Sequence, residues 1–204
     1  FDTAQDLEVL SLDEYVERIE EDDFYCIEAV DGHYYNQFPI GTALLSLPPV
    51  WFVNEFLDEG LGLSLEALLQ QDRMAELERL IASLFAALAS VFIFQLARRR
   101  MGGLWWPLMV TFVFAFASPV WSTASRALWQ HGPSILLLSA VLLLLSDIDS
   151  GRVIPMALAG PLLAMAYVVR PTNALSYAFL MLAVLWYTRR GFAAALGFSL
   201  VVFV

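Results

Sequence analysis

The chain contains no lysine: all 11 basic residues are arginines, set against 21 acidic ones, for a formal net charge of -10 over 204 residues. So acidic a surface excludes nucleic acid as a partner. Cysteine is almost as scarce. Cys26 stands alone, so no internal disulfide is possible, and with only two histidines, His33 and His131, no metal-ligand cluster stands out. No signal-peptide pattern is visible. Phe1 is not a methionine and Val204 falls inside an apolar run, so the sequence reads as an internal piece of a longer protein.

Charge is scarcest in the second part. After Glu78 the only acids are Asp147 and Asp149, so 19 of the 21 lie between Asp2 and Glu78. Hydrophobic residues make up 59% of the chain and recur in uncharged runs from Leu80 onward. A soluble fold of this length has too little interior to hide them, so the bilayer must be part of the solvent. Two territories follow: residues 1–79, polar and acidic, and residues 80–204, a bundle of about six spans whose last is cut short.

Within the acidic territory, Ser11 and Glu14 fit a capping box ahead of an amphipathic helix over Leu12 to Glu21. Ile27 to Tyr35, broken at Asp31-Gly32, reads as two short strands around a tight turn. Phe38 to Val53 is uncharged but short and holds Pro39, Pro48 and Pro49. A helix on the lipid surface, or one that partly re-enters, suits it better than a span. Ser64 caps a further helix with Leu65, Leu68, Leu69 and Leu77 on one side, interfacial in character. The spans read as Leu80 to Ala97, Leu104 to Ser125, about Gly132 to Ser146, Val153 to Val169, Pro171 to Thr188, and Gly191 onward. Their connections are short, so neighbours run antiparallel.

Arg98, Arg99 and Arg100, then Arg152, then Arg189 and Arg190 fall at alternate helix ends, all on one side, which the positive-inside rule makes cytoplasmic. Residues 1–79, the Ser125 to Gly132 connection and Arg170-Pro171 then share the outer face. The connection from Trp121 to Pro133 concentrates Arg126, Gln130, His131 and two tryptophans. Two readings stand: an aromatic belt with a snorkelling arginine, or an anionic headgroup site in which Arg126 and His131 supply donors to a phosphate. Arg170 ahead of Pro171-Thr172-Asn173 offers the same choice between interfacial anchor and phosphate ligand. The acidic run Glu20 to Asp23 reads as a solvated face. Asp2 and, more weakly, Asp6 are placed to act as a general base at the mouth of a bundle. No span carries an ionisable group well inside it, which argues against an ion-coupled transporter and moves chemistry to the outer surface.

Gly32-His33-Tyr34-Tyr35-Asn36-Gln37-Phe38-Pro39-Ile40-Gly41 followed by Ala43 to Pro48, then Val120-Trp121-Ser122 through Trp129-Gln130-His131-Gly132-Pro133, then Arg170-Pro171-Thr172-Asn173, together resemble the GT-C membrane glycosyltransferases. The likeness is to relatives of the protein mannosyltransferases and of the lipid A aminoarabinose transferase, in a bacterial branch that is mostly uncharacterised. It covers most of the chain with the motifs in order. It implies an all-α polytopic membrane protein whose first extracytoplasmic loop, residues 1–79 here, carries juxtamembrane helices and an essential acid, best matched by Asp2. It implies a polyprenyl-phosphate-linked sugar as donor and a hydroxyl acceptor, with Arg126, His131 and Arg170 on the phosphate side and Tyr34, Tyr35, Gln130 and Asn173 lining the substrate site. Inversion, metal independence and no evident cofactor follow from the nearer relatives, as does the plasma membrane of a prokaryote. The Asp-Glu pair typical of the mannosyltransferases is not evident after Asp2. A lipid-linked saccharide flippase, or a noncatalytic membrane scaffold, are the alternatives.

The topology has a direct test. In intact cells, a membrane-impermeant thiol reagent is expected to label both Cys26 and a Ser125→Cys variant. Reaction of Cys26 only after permeabilisation would place residues 1–37 inside and separate them from the arginine connection.

Overall fold

In a computed structural model the described residues are 27–30, 33–36, 39–56, 73–146 and 153–187. They form one antiparallel hairpin and a set of packed helices. The expected helix over Leu12 to Glu21, the Ser64-capped segment up to residue 72, and the last span from Gly191 lie outside the described residues.

Strands β1 (Ile27–Val30) and β2 (His33–Asn36) pair with Val30 opposite His33 and Ile27 opposite Asn36. The register leaves two residues between the paired ends, as the expected two-residue connection requires, and those two lie outside the described residues. An all-α description holds for the rest. Helix α1 (Gly41–Phe56) runs through both Pro48 and Pro49, so the carbonyls of Leu44 and Leu45 lack their usual donors four residues on.

Helix α2 (Met74–Arg100) has 27 residues, rich in Ala and Leu and free of Gly and Pro. Glu76 in its first turn and three arginines in its last suit the helix dipole, and Glu76 pairs with Arg73 at 2.6 Å. It stops at Met101, where the backbone turns extended before Gly102 and a left-handed Gly103. At about 1.5 Å per residue it measures roughly 40 Å. Among the described residues it is the one helix long and apolar enough to cross a membrane alone.

Helix α3 (Trp105–Phe116) is shorter than the expected Leu104 to Ser125. The reason is local. Pro119 removes a backbone donor, and the Ser118 hydroxyl donates to the Phe114 carbonyl at 2.5 Å while accepting from the Val120 amide. The chain resumes as a π-helical turn, Val120–Ala124. Helices α4 (His131–Leu145) and α5 (Val153–Val169) follow, then a 3-10 turn (Pro171–Asn173) that leads into α6 (Ala174–Tyr187).

Two apolar clusters fix the arrangement. Leu137 and Val141 of α4 pack with Leu163, Ala166 and Val169 of α5 and Val184 of α6. Val53 of α1 packs with Leu77, Ile81 and Phe85 of α2. The buried side of α2 is otherwise small, with Ala82, Ala86 and Ala89, which lets neighbouring backbones approach closely.

The helix directions can be read from hydrogen bonds. Arg99 donates to the Leu143 carbonyl at 3.2 Å and to the Ser146 hydroxyl at 2.9 Å, and Arg100 donates to the Ser146 carbonyl. The C-terminal ends of α2 and α4 therefore coincide, and the two helices run parallel. Helix α5 returns antiparallel to α4, so its C-terminus lies at the opposite end, with His131. Helix α1 stays at that end throughout. Gly41 meets the last residues of α5, and Val53 meets the first turns of α2, so α1 bridges two helix ends instead of running alongside them.

Gly41 has no room for a side chain. A Cβ there would stand 2.6 Å from the Val168 carbonyl carbon and closer still to the Val169 nitrogen, backbone atoms that cannot turn aside. Gly41→Ala is expected to destabilise the protein by about 1–3 kcal/mol, read as a lowered unfolding midpoint in detergent, whereas Gly102→Ala, in open space, serves as the near-neutral comparison.

Candidate functional site

The residues that meet at the shared end of α4 and α5 are set there by a turn. Pro171 disfavours the helical region for the residue before it, and Arg170 accordingly has φ -150 and ψ 107. Its amide still donates to the Ala166 carbonyl at 3.0 Å, closing α5, while its own carbonyl accepts from the Asn173 amide at 2.9 Å. The chain reverses within four residues, and Pro171 opens the next helical segment, where a missing N–H costs nothing.

Two parallel contacts then tie this turn to the start of α4. The Arg170 Nη1 lies 2.9 Å from His131 Nδ1. One turn deeper, the Asn173 amide donates to the Ser134 hydroxyl at 2.8 Å and to the Ala166 carbonyl at 2.7 Å. His131 and Ser134 share one side of α4 and meet Arg170 and Asn173 in turn, so the two contacts form matched rungs, each joining residues 39 apart in sequence. Asn173 and Ser134 are buried, while His131 and Arg170 are half-buried at the mouth.

Helix polarity adds to the charge. The N-termini of α1, α4 and the Pro171 turn all open here, because Gly41 abuts Val168 and Val169, and His131 touches Arg170. Helix N-termini carry unsatisfied amides and a positive partial charge. Among the described residues no carboxylate pairs with Arg170 or Arg126.

The expected site residues separate into groups. His131 and Arg170 are brought into contact. Arg126 is exposed on the connection just after the π turn, its amide bonded to the Thr123 carbonyl at 3.4 Å. Gln130 caps α4 through its backbone, its carbonyl accepting from the Ser134 amide at 3.1 Å. Asn173, expected to line a substrate site, spends its amide inside the fold as a clasp between α4, α5 and the turn. Tyr34 and Tyr35 stand on β2 opposite Ala29 and Glu28. Asp2 and Asp6 lie outside the described residues. Among the described residues no cluster of His, Cys, Asp and Glu is arranged to hold a metal.

Sequence reasoning passed over Ser134. Its signal was the repeated spacing: a polar residue three after His131 and another three after Arg170. It also passed over a groove between α2 and α3 of about 630 Å³, walled by Trp105, Phe112, Phe116 and Trp121 and reaching Ser83 and Ser125. Ser83 donates to the Ser125 carbonyl at 3.0 Å, which pins the start of the Arg126 connection to α2 at the groove's end.

No family model matches the chain, and no curated protein or solved structure matches it either.

Asn173→Ala would leave the buried Ser134 hydroxyl without its donor and take away one of the two donors to the Ala166 carbonyl. A loss of about 1–3 kcal/mol is expected, measured as a lower unfolding midpoint, and Asn173→Asp should not rescue it because a carboxylate cannot donate to the Ala166 carbonyl.

Proposed function

We propose that the chain is a multi-pass membrane glycosyltransferase of GT-C type, which moves a sugar from a polyprenyl-phosphate-linked donor to a hydroxyl acceptor at the outer face of a prokaryotic plasma membrane. The observation that carries the reading is the His131–Arg170 contact at a place where helix N-termini converge and no carboxylate among the described residues pairs with the arginine. Such a place calls for an oxyanion.

The helix exteriors support a bilayer as solvent. Trp105 is 80% exposed, Phe179 72% and Trp186 86%, and the exposed apolar side chains run on through α2, α3 and α6. Water would not tolerate so continuous a surface. Helix α1, which keeps to the His131 end with Leu47, Trp51 and Phe52 exposed, suits a juxtamembrane helix lying in the interface. The apolar groove of α2 and α3 suits a prenyl chain, with Arg126 following Ser125 at its end.

In the reaction a carboxylate, Asp2 being the candidate, takes the proton of the acceptor hydroxyl as its oxygen attacks the anomeric carbon. The bond to the phosphate oxygen breaks on the opposite face, and its electron pair leaves with the phosphate. Arg170 and Arg126 meet the charge that develops there. Configuration at the sugar is inverted.

Arg126→Ala and Arg170→Ala are each expected to lower transfer in membranes by roughly a hundredfold or more while the protein stays inserted. Full activity in both would remove the site. Retained lipid-saccharide binding and movement with no need for a carboxylate at Asp2 would instead identify a flippase.

A further inference from the structure

Arginine has donors and no acceptor. Its Nη1 stands 2.9 Å from His131 Nδ1, so a hydrogen bond forms only if Nδ1 offers its lone pair. The ring proton then belongs on Nε2. An imidazolium, with a proton on both nitrogens, would set a donor against a donor and one cation against another. We infer that Arg170 holds His131 as the neutral Nε2–H tautomer, which makes the ring a fixed hydrogen-bond donor to an oxyanion and disqualifies it as the base of the reaction.

The surroundings restrict the ring in the same sense. On α4 itself the next polar side chain on the same side, Ser134, is taken by Asn173. The ring is only half-buried, so Nε2 is the polar atom left for a ligand. Arg170 keeps further N–H groups, and together the two side chains offer donors from two helices whose separation is fixed by the Asn173 clasp. An acceptor-only group with several oxygens, a phosphate monoester or diester, fits that set. A sugar hydroxyl, which must also donate, is met by no acceptor from this pair. The tautomer rests on the contact alone, while the choice of phosphate rests on the function proposed above.

Nitrogen NMR on the full chain in micelles, with 15N-labelled histidine, separates the two. The resonances that vanish in His131→Asn identify this ring. The expected spectrum at neutral pH has Nδ1 as the unprotonated, pyridine-type nitrogen and Nε2 as the protonated, pyrrole-type one, with averaging of the two on Arg170→Ala. Titration with dodecyl phosphate should shift Nε2 and not Nδ1. His131→Asn, whose side-chain oxygen can still accept from Arg170 but whose amide falls short of the Nε2 position, should stay folded and bind dodecyl phosphate roughly tenfold more weakly. A proton on Nδ1, or a spectrum unchanged by Arg170→Ala, overturns the tautomer. An Nε2–H ring that ignores dodecyl phosphate, in a protein that binds it through Arg126, overturns its donor role. No binding by the wild-type chain refutes the phosphate reading and leaves the tautomer standing.

Discussion

The turn from Val169 to Asn173 is the joint on which the rest of the described structure depends. Pro171 forces Arg170 out of the helical region, and the 3-10 closure from the Asn173 amide to the Arg170 carbonyl reverses the chain at once. Everything near it uses what that reversal exposes. The Ala166 carbonyl accepts both the last amide of α5 and the Asn173 side chain. The backbone of Val168 and Val169 forms a surface that only a glycine can approach, and Arg170 is left projecting toward His131. One backbone restriction, set by one proline, thereby fixes α4, α5, α6 and the start of α1 against one another.

Much of this was legible in the residues, and where it was not, the cause is specific. Asp31-Gly32 between short apolar stretches gave the hairpin, because a two-residue turn admits few compositions. Of the arginines at alternate helix ends, Arg98 to Arg100 marked a pole that the contacts of Arg99 and Arg100 with the end of α4 place away from His131 and Arg170, while Arg152, Arg189 and Arg190 lie outside the described residues. The run from Leu104 to Ser125 was misread as one helix because hydropathy does not register the backbone: Ser118 and Pro119 are compatible with an apolar stretch but not with an unbroken hydrogen-bond ladder. Asn173 was expected to line the substrate site, and its place inside the fold was not foreseen. Its burial depends on Ser134, a partner 39 residues away, and only the equal spacing of the two pairs hinted at it.

The clasp also explains how a cation can be held where cations are unwelcome. Arg170 stands at the C-terminus of α5, which favours positive charge, but also beside the N-termini of α4 and α1, which do not. The Asn173 bonds at 2.7 and 2.8 Å are neutral and buried, so they hold the backbone of the turn irrespective of salt and pH, and the arginine is held by its main chain more than by its charge.

Helix polarity then distinguishes the two ends of the bundle. At one, Arg99 and Arg100 donate to the terminal carbonyls of α4, cations on the negative end of a helix, and the local demand for charge is met by the protein itself. At the other, the N-termini of α1, α4 and the Pro171 turn stand with the C-terminus of α5 around His131 and Arg170, and no carboxylate among the described residues pairs with that arginine. A cation beside helix N-termini favours an anionic partner. The lipid phosphate proposed above would be such a partner. For the phosphate proposed above, donors on backbone ends and on a clasped turn would already be in place, with little to reorganise on binding. For a group whose negative charge grows as a bond breaks, such prearrangement favours the departing state over the bound one.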